Sequence, residues 1–71
     1  MNNIKNTRVL RGFTQEEVSR RLYISLYYYQ KIEKGKSLPN VVLGLQLALL
    51  LNANPFELFD AKLLESPENK T

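Results

Sequence analysis

Two capped helical segments separated by a very short connection occupy residues 14–35, and this stretch constrains the fold more than any other. Thr14 is suited to N-cap the first segment, because Glu17 follows at the three-residue spacing of a capping box. Ser25 offers an N-cap oxygen to the second segment, and Gly35 suits a left-handed C-cap at its end. The stretch therefore predicts two short helices joined by a tight turn.

Each of these helices has one apolar edge. Val18 and Leu22 are spaced i, i+4 in the first helix, and Tyr29 and Ile32 continue the edge in the second. Two helices that bury one edge each leave the outer face of the second helix free to contact a partner.

The predicted turn contains Tyr23 and Ile24, of which we expect Ile24 to be buried. A turn this tight usually has a residue with positive φ, a conformation that favours glycine and disfavours a bulky side chain. Two alternatives remain open: the turn bends differently, or Tyr23 carries strain of order 1 kcal/mol.

The outer face of the helix that begins after Ser25 is predicted to contact DNA. Three consecutive tyrosines sweep about 200° of arc at 100° per residue, so they cannot all lie in the core. We expect Tyr29 to point inward and Tyr27 and Tyr28 outward, where large exposed aromatic side chains usually mark a contact surface. Tyrosine hydroxyls could bind phosphates, Leu26 could touch thymine methyl groups, and Lys31 could reach a guanine edge or a phosphate.

Gln15 lies in the first turn of the preceding helix, and we expect its amide to point outward. There it could donate to a phosphate beside the positive end of the helix dipole; the alternative is a solvated side chain. The full set of predicted DNA contacts is Gln15, Ser25, Leu26, Tyr27, Tyr28, Gln30, Lys31, Lys34 and Lys36.

Positive charge is concentrated in the half of the chain that contains the helix pair. Residues 1–36 hold eight lysine and arginine residues against three glutamates, a balance of +5, whereas residues 37–71 have a balance of −2. A polyanionic partner would be attracted to the basic half. A solvated lysine-rich surface is the alternative, so charge supports DNA binding without establishing it.

Composition argues against catalysis. The 71-residue chain has no cysteine and no histidine, which removes thiol chemistry and the commonest general base. Its one pair of neighbouring carboxylates, Glu16 and Glu17, lies on different helix faces. We therefore expect no enzymatic activity, no cofactor, no metal and no small-molecule ligand.

The longest apolar run is about 11 residues, against roughly 20 needed to span a bilayer, so we expect a soluble cytoplasmic protein.

The flanking segments predict three more helices. Expected bounds are residues 4–11 for the first helix, 15–22 and 26–34 for the central pair, 41–51 for the fourth, and a fifth that opens at Asn54 and Pro55. Asn3 could N-cap the first helix, and Asn52 could take the left-handed C-cap position after the fourth. Arg8 shares the Ile4 face and is drawn inward, where it needs a carboxylate; Glu33, on the Tyr29 side of its helix, is the obvious partner.

The fourth helix is apolar nearly all round, which leaves more apolar residues than one core can bury. We expect its buried face to comprise Val41, Gly44, Leu45, Leu47, Ala48 and Leu51. The surplus is either covered by the C-terminal segment or forms a subunit interface. Two of Phe56, Leu58 and Phe59 should face inward. Candidate dimer contacts are Val42, Leu43, Leu49, Leu50, Phe56 and Leu63. The expected domain covers residues 1–65, and the polar tail 66–71 is expected to be disordered.

The sequence over residues 4–59, about 56 of the 71, resembles the Cro and phage-repressor type of helix-turn-helix, the XRE family. The residues that carry the resemblance are Ile4-Lys5, Arg8, Gly12-Phe13-Thr14-Gln15-Glu16-Glu17-Val18, Ile24-Ser25, Ile32-Glu33-Lys34-Gly35, Pro39-Asn40, Leu47-Ala48, Leu51 and Glu57-Leu58-Phe59.

This resemblance implies an all-α, compact five-helix bundle of the lambda-repressor type, with the helix-turn-helix at helices two and three. It implies a repressor-type transcription regulator that binds double-stranded DNA as a two-fold homodimer, with helix three in the major groove. It also implies an Arg8–Glu33 ion pair, a phosphate contact from Gln15, and base or backbone contacts from helix three.

Three departures from the family pattern stand out. Tyr23 replaces the usual turn glycine. Gly44 replaces a usual core leucine, so Leu43 or Tyr29 is expected to fill that space. Leu26, Tyr27 and Tyr28 replace shorter polar residues, which favours an alternative function: an antitoxin or another protein-interaction module that uses this aromatic surface.

Overall fold

The computed structural model of the protein describes residues 2–59; Met1 and residues 60–71 lie outside the described part. The described residues form five helices and no strand, α1 Ile4–Arg11, α2 Gln15–Arg21, α3 Leu26–Glu33, α4 Val41–Leu50 and α5 Pro55–Leu58. The all-α prediction is confirmed, and helices two to four end one residue earlier than expected. None of the described helices has both the length and the apolar character needed to cross a membrane.

Side-chain caps fix where α2, α3 and α4 begin. The hydroxyl of Thr14 accepts from the Glu17 N–H at 3.0 Å, and the Glu17 carboxylate accepts from the Thr14 N–H at 2.8 Å, which completes the capping box. Ser25 accepts from the Tyr28 N–H, and Asn40 caps α4 in the same way. Each cap satisfies a backbone donor that a helix start would otherwise leave unpaired.

The start of α1 is held differently from our expectation. Asn3 occupies the N-cap position, but its side chain does not cap the helix; its amide donates instead to the backbone carbonyl of Glu57 at 2.9 Å. The side chain of Asn2 accepts from the Ile4 N–H at 3.1 Å. The Asn3 N–H also donates to the Leu58 carbonyl, so the first helix is tied directly to α5.

A second link joins α1 to the end of α4. The Arg11 guanidinium donates to the carbonyl of Leu51 at 2.7 Å and to that of Asn52 at 2.9 Å. These carbonyls follow the last turn of α4, where backbone acceptors lack helical partners and a cation is favoured. Asn52 itself has φ +52°, which confirms the left-handed conformation expected there.

Every helix contributes to one core. The buried apolar side chains are Ile4, Val18, Tyr29, Ile32, Leu47, Ala48, Leu51 and Leu58. Half-buried side chains, including Phe13, Leu22 and Ile24, pack around them. Ile24 therefore lies at the edge of the core and is less buried than expected.

The buried face of α4 differs from the predicted one. Gly44, Leu47 and Ala48 are buried, as expected, but Val41 and Leu45 are 76% and 49% exposed. The buried residues follow one i, i+3, i+4 stripe. Leu45 lies about 100° around the helix from Gly44, and Val41 sits in the first turn, before the stripe begins.

The space left by Gly44 is filled by Phe59, and not by Leu43 or Tyr29 as expected. A Cβ atom placed on Gly44 would lie 3.5 Å from Cε2 and 3.7 Å from Cζ of the Phe59 ring. Leu43 is half-buried elsewhere on the core, and the Tyr29 hydroxyl is bonded to Glu33. Phe59 and Leu58 are thus the two inward residues expected in this segment, while Phe56 is 63% exposed.

We predict that Gly44→Ala stabilises the protein by about 0.5–1 kcal/mol, because alanine is the better helix former and its methyl group meets Phe59 at ordinary contact distance. Thermal unfolding should then shift upward by about 2–8 °C.

Gly12→Ala is the matched control. Gly12 has φ +84° with nothing near its Cβ position, so alanine there adds backbone strain without any packing change and should lower the melting temperature. Shifts of the same sign in both variants would contradict this description of α4.

Candidate nucleic-acid interface

The turn between α2 and α3 carries a residue in the left-handed region. Tyr23 has φ +59°, and the residue is 95% exposed. The N–H of Tyr23 donates to the Arg20 carbonyl, and the N–H of Ile24 donates to that of Ser19. Of the two alternatives from the sequence, the strained tyrosine is the correct one. The turn keeps its tight geometry and places α3 against α2.

A buried ion pair fixes α3 against α1, as predicted. The side chains of Arg8 and Glu33 are 9% and 4% exposed, and Arg8 Nε lies 2.6 Å from Glu33 Oε2. The Arg8 guanidinium also donates to the Phe13 carbonyl at 2.8 Å. Tyr29 OH donates to Glu33 Oε2 at 2.8 Å, and Gln15 Nε2 donates to Glu33 Oε1 at 2.7 Å. One carboxylate therefore joins three helices.

The hydrogen bonds determine the ionisation of this cluster. Burial alone would raise the pKa of Glu33, but hydrogen bonds from Arg8, Gln15 and Tyr29 outweigh it and lower the pKa. The hydrogen bond that Arg8 donates to Glu33 raises the pKa of Arg8, and burial raises the pKa of Tyr29. Glu33 is therefore ionised and Tyr29 neutral around neutral pH. Among the residues described, no buried side-chain nitrogen or oxygen lacks a hydrogen-bond partner.

Gln15 does not point outward as expected. Its Nε2 is bonded to the buried Glu33 carboxylate, and its Oε1 accepts from Gln30 Nε2 at 3.1 Å. The reason is electrostatic, because a buried carboxylate needs more donors than Arg8 alone supplies. An amide nitrogen carries two protons, so the second could still reach a phosphate. The phosphate contact of Gln15 stays a prediction.

The outer face of α3 is formed mainly by Tyr27 and Lys31. Tyr27 is 71% exposed, and the ammonium of Lys31, one turn later, lies 5.3 Å from the centroid of its ring. This distance is within the range of a cation–π interaction, which keeps the lysine on that face. Tyr28 is less exposed than predicted, since it is half-buried and packs partly against the core. Leu26 and Gln30 are half-buried too, whereas Ser25 is exposed.

The loop after α3 holds two more lysines near the same helix. Gly35 has φ +78°, which confirms the left-handed C-cap predicted there. The backbone N–H groups of Lys36 and Ser37 both donate to the Lys31 carbonyl, at 2.8 and 3.2 Å. Lys34 and Lys36 are exposed beside the C-terminal end of α3. A cationic strip therefore follows the aromatic face.

The candidate dimer contacts fall into two groups. Val42 and Leu49 on α4 are 65% and 81% exposed, and Phe56 is also exposed. Leu43 and Leu50 are half-buried against the core, so they offer less surface than expected. Leu63 and the polar tail lie outside the described residues.

Sequence reasoning missed an open apolar groove of about 370 Å³, which is lined by residues that include Leu38, Val41, Leu45, Phe56 and Phe59. The one signal for it was the excess of apolar residues in α4.

Comparison with known proteins identifies the class. Residues 1–64 match a family described as "Helix-turn-helix domain", so the chain belongs to that family. This confirms the resemblance to the Cro and phage-repressor type. The chain is also similar to a Bacillus subtilis (strain 168) protein named "Uncharacterized HTH-type transcriptional regulator YqaF". The two are 42% identical over 41 residues, which is 58% of this chain and 54% of the relative. The match thus spans about half of the relative's length.

We predict that Glu33→Ala destabilises the protein by about 3–5 kcal/mol, because it leaves the buried Arg8 guanidinium unpaired and removes the acceptor of Tyr29 and Gln15. Chemical denaturation at neutral pH measures the loss.

Glu16→Ala serves as the comparison, since Glu16 is exposed on α2 and a surface substitution of this kind usually changes stability by less than about 0.5 kcal/mol. Equal unfolding midpoints for the two variants would show that the buried pair does not stabilise the fold.

Proposed function

We propose that this protein is a sequence-specific transcription regulator of the repressor type that inserts α3 into the major groove of double-stranded DNA. The observation that carries the proposal is an aromatic and cationic surface, formed by Tyr27 and the half-buried Lys31 on α3 and by the exposed Lys34 and Lys36 just after it. The Glu33 carboxylate ties this helix to α1 and α2. The helix-turn-helix family and the regulator name of the Bacillus subtilis relative support it.

The distribution of charge supports the same face. Two of the eight cations in residues 1–36, Arg8 and Arg11, are engaged in structural hydrogen bonds. Lys31, Lys34 and Lys36 instead lie along α3 and the loop after it. A cluster of cations at the end of a helix and in the loop that follows it is an electrostatic pattern expected of a phosphate-binding surface.

Roles can be proposed for the individual residues on this face. Lys31 and Tyr27 lie where base edges would be read, and Leu26, at the start of α3, could meet a thymine methyl group. Ser25, Lys34 and Lys36 are placed for phosphate contacts, which position the protein without reading sequence. We assign the half-buried Tyr28 a phosphate contact through its hydroxyl.

A homodimer fits the exposed apolar residues of α4 and α5. Val42, Leu49 and Phe56 are each more than half exposed. Two copies related by a two-fold axis would read half-sites about 10–10.5 base pairs apart. Such a regulator would work in the cytoplasm with the DNA, without catalytic activity.

The second candidate function is that of an antitoxin or a similar protein-interaction module. It is favoured by the apolar groove lined by Leu38, Val41 and Phe56, all more than half exposed. Salt dependence separates the two functions, because DNA binding weakens with a log–log slope of about −0.9 per phosphate contacted. A protein interface formed by apolar side chains would respond little.

We predict that Lys31→Ala weakens binding to a duplex selected from a random library by about 5–150-fold, and weakens binding to unrelated duplex much less. Lys36→Ala should weaken both duplexes by the same factor and reduce the salt slope by about 1. Fluorescence anisotropy at several salt concentrations measures both.

Lys5→Ala is the control, since Lys5 is an exposed lysine on α1. Affinities that stay at the parent value in both Lys31→Ala and Lys36→Ala would contradict the proposed face.

A further inference from the structure

A chain of three side chains leads from the buried ion pair to the surface of α3. It begins at the Glu33 carboxylate, whose side chain is 4% exposed. Gln15 Nε2 donates to Glu33 Oε1 at 2.7 Å, and Gln30 Nε2 donates to Gln15 Oε1 at 3.1 Å. The last member, Gln30, is half-buried and lies one helical turn before Lys34 and one after Leu26.

The charge at the inner end dictates the direction of every bond in this chain. An ionised carboxylate can only accept hydrogen bonds, so Gln15 must turn its nitrogen toward Glu33. The Gln15 oxygen is then left to face Gln30, and because an amide oxygen also only accepts, Gln30 must present its nitrogen. The reversed orientation would set an amide oxygen against the Glu33 carboxylate and leave that carboxylate short of a donor.

We propose that Gln30 reads an adenine in the major groove and that Glu33, acting through Gln15, fixes the orientation in which its amide does so. The proposal rests on the proposed function, in which α3 enters that groove. Gln30 would be the residue that touches the base, and Gln15 a positioning residue.

The free edge of Gln30 matches adenine chemically. With one Nε2 proton donated to Gln15, Gln30 retains Oε1 as an acceptor and its second Nε2 proton as a donor. Adenine presents N6–H₂ as a donor and N7 as an acceptor in the major groove, which is the complementary pair. Guanine offers two acceptors there, so one of them would lie opposite the Gln30 oxygen, which is itself an acceptor.

Holding the amide before DNA arrives favours recognition. A free glutamine has several rotatable bonds and two amide orientations, and binding DNA would have to restrict them all. In this protein the bond to Gln15 restricts them in the unbound state, so less entropy is lost on binding.

The test starts from a duplex selected from a random library and the set of its single base-pair substitutions. The parent should prefer A·T at one position by about 5–150-fold. Gln30→Ala should abolish that preference and leave the preferences at other positions. Gln15→Met, which keeps the side-chain length but has no amide, should reduce the preference at the same position at least fivefold. Lys36→Ala is the control, and should weaken every duplex equally.

A second measurement uses the protein without DNA. In ¹⁵N spectra the side-chain amide of Gln30 should show one hydrogen-bonded, slowly exchanging proton, which Gln15→Met removes. Gln46, exposed on α4, supplies a reference amide that should not change. Gln30→Asn, which keeps an amide on a shorter side chain, should lose both the bond to Gln15 and the adenine preference.

The outcomes separate this inference from the proposed function. If Gln15→Met weakens all duplexes by one factor and the A·T preference survives, the orienting role is wrong while DNA binding stands. A parent that binds all duplexes alike would overturn the proposed function and this inference together. If the preference is lost in Gln30→Ala but not in Gln30→Asn or Gln15→Met, Gln30 contacts the base without being oriented by Gln15. That result would overturn the proposed orienting role of Glu33 and Gln15.

Discussion

The ion pair between Arg8 and Glu33 holds α3 in place. It connects α1 and α3 across 25 residues of sequence, and the same carboxylate accepts from Tyr29 and Gln15. Because the pair is almost fully buried, each partner needs the other to offset the loss of hydration. The position of α3 relative to both of its neighbours therefore depends on a single charged group in the core.

Two kinds of feature could be predicted from sequence: those set by the spacing of nearby residues, and those in which a residue has few possible binding partners. The caps at Thr14 and Ser25 are hydrogen bonds between residues three positions apart, so the residue pattern alone reveals them. The ion pair was predictable for another reason: an arginine on a buried face needs a carboxylate, and Glu33 was the acid on the inward side of α3. The left-handed conformations of Gly35 and Asn52 were predictable because each residue lies just after a helix end.

What the sequence did not reveal depends on packing between distant segments. In α4 nearly every residue is apolar, so periodicity cannot indicate which face is buried, and Val41 and Leu45 were placed wrongly. The contact of Phe59 with Gly44 joins residues 15 positions apart and has no local signature. Gln15 was expected to face solvent because its own neighbours give no hint of the buried acceptor on α3.

The measurement that tests this account most directly is the titration of the Glu33 carboxyl, followed by its side-chain ¹³C shift. Three donors surround it, so we expect a pKa below the usual value for glutamate of about 4.3. The stabilisation from the pair should then be complete above that pH and be lost as the pH falls through the lowered folded-state pKa. A carboxyl that titrates at or above the usual value would mean that Arg8, Tyr29 and Gln15 do not hold it.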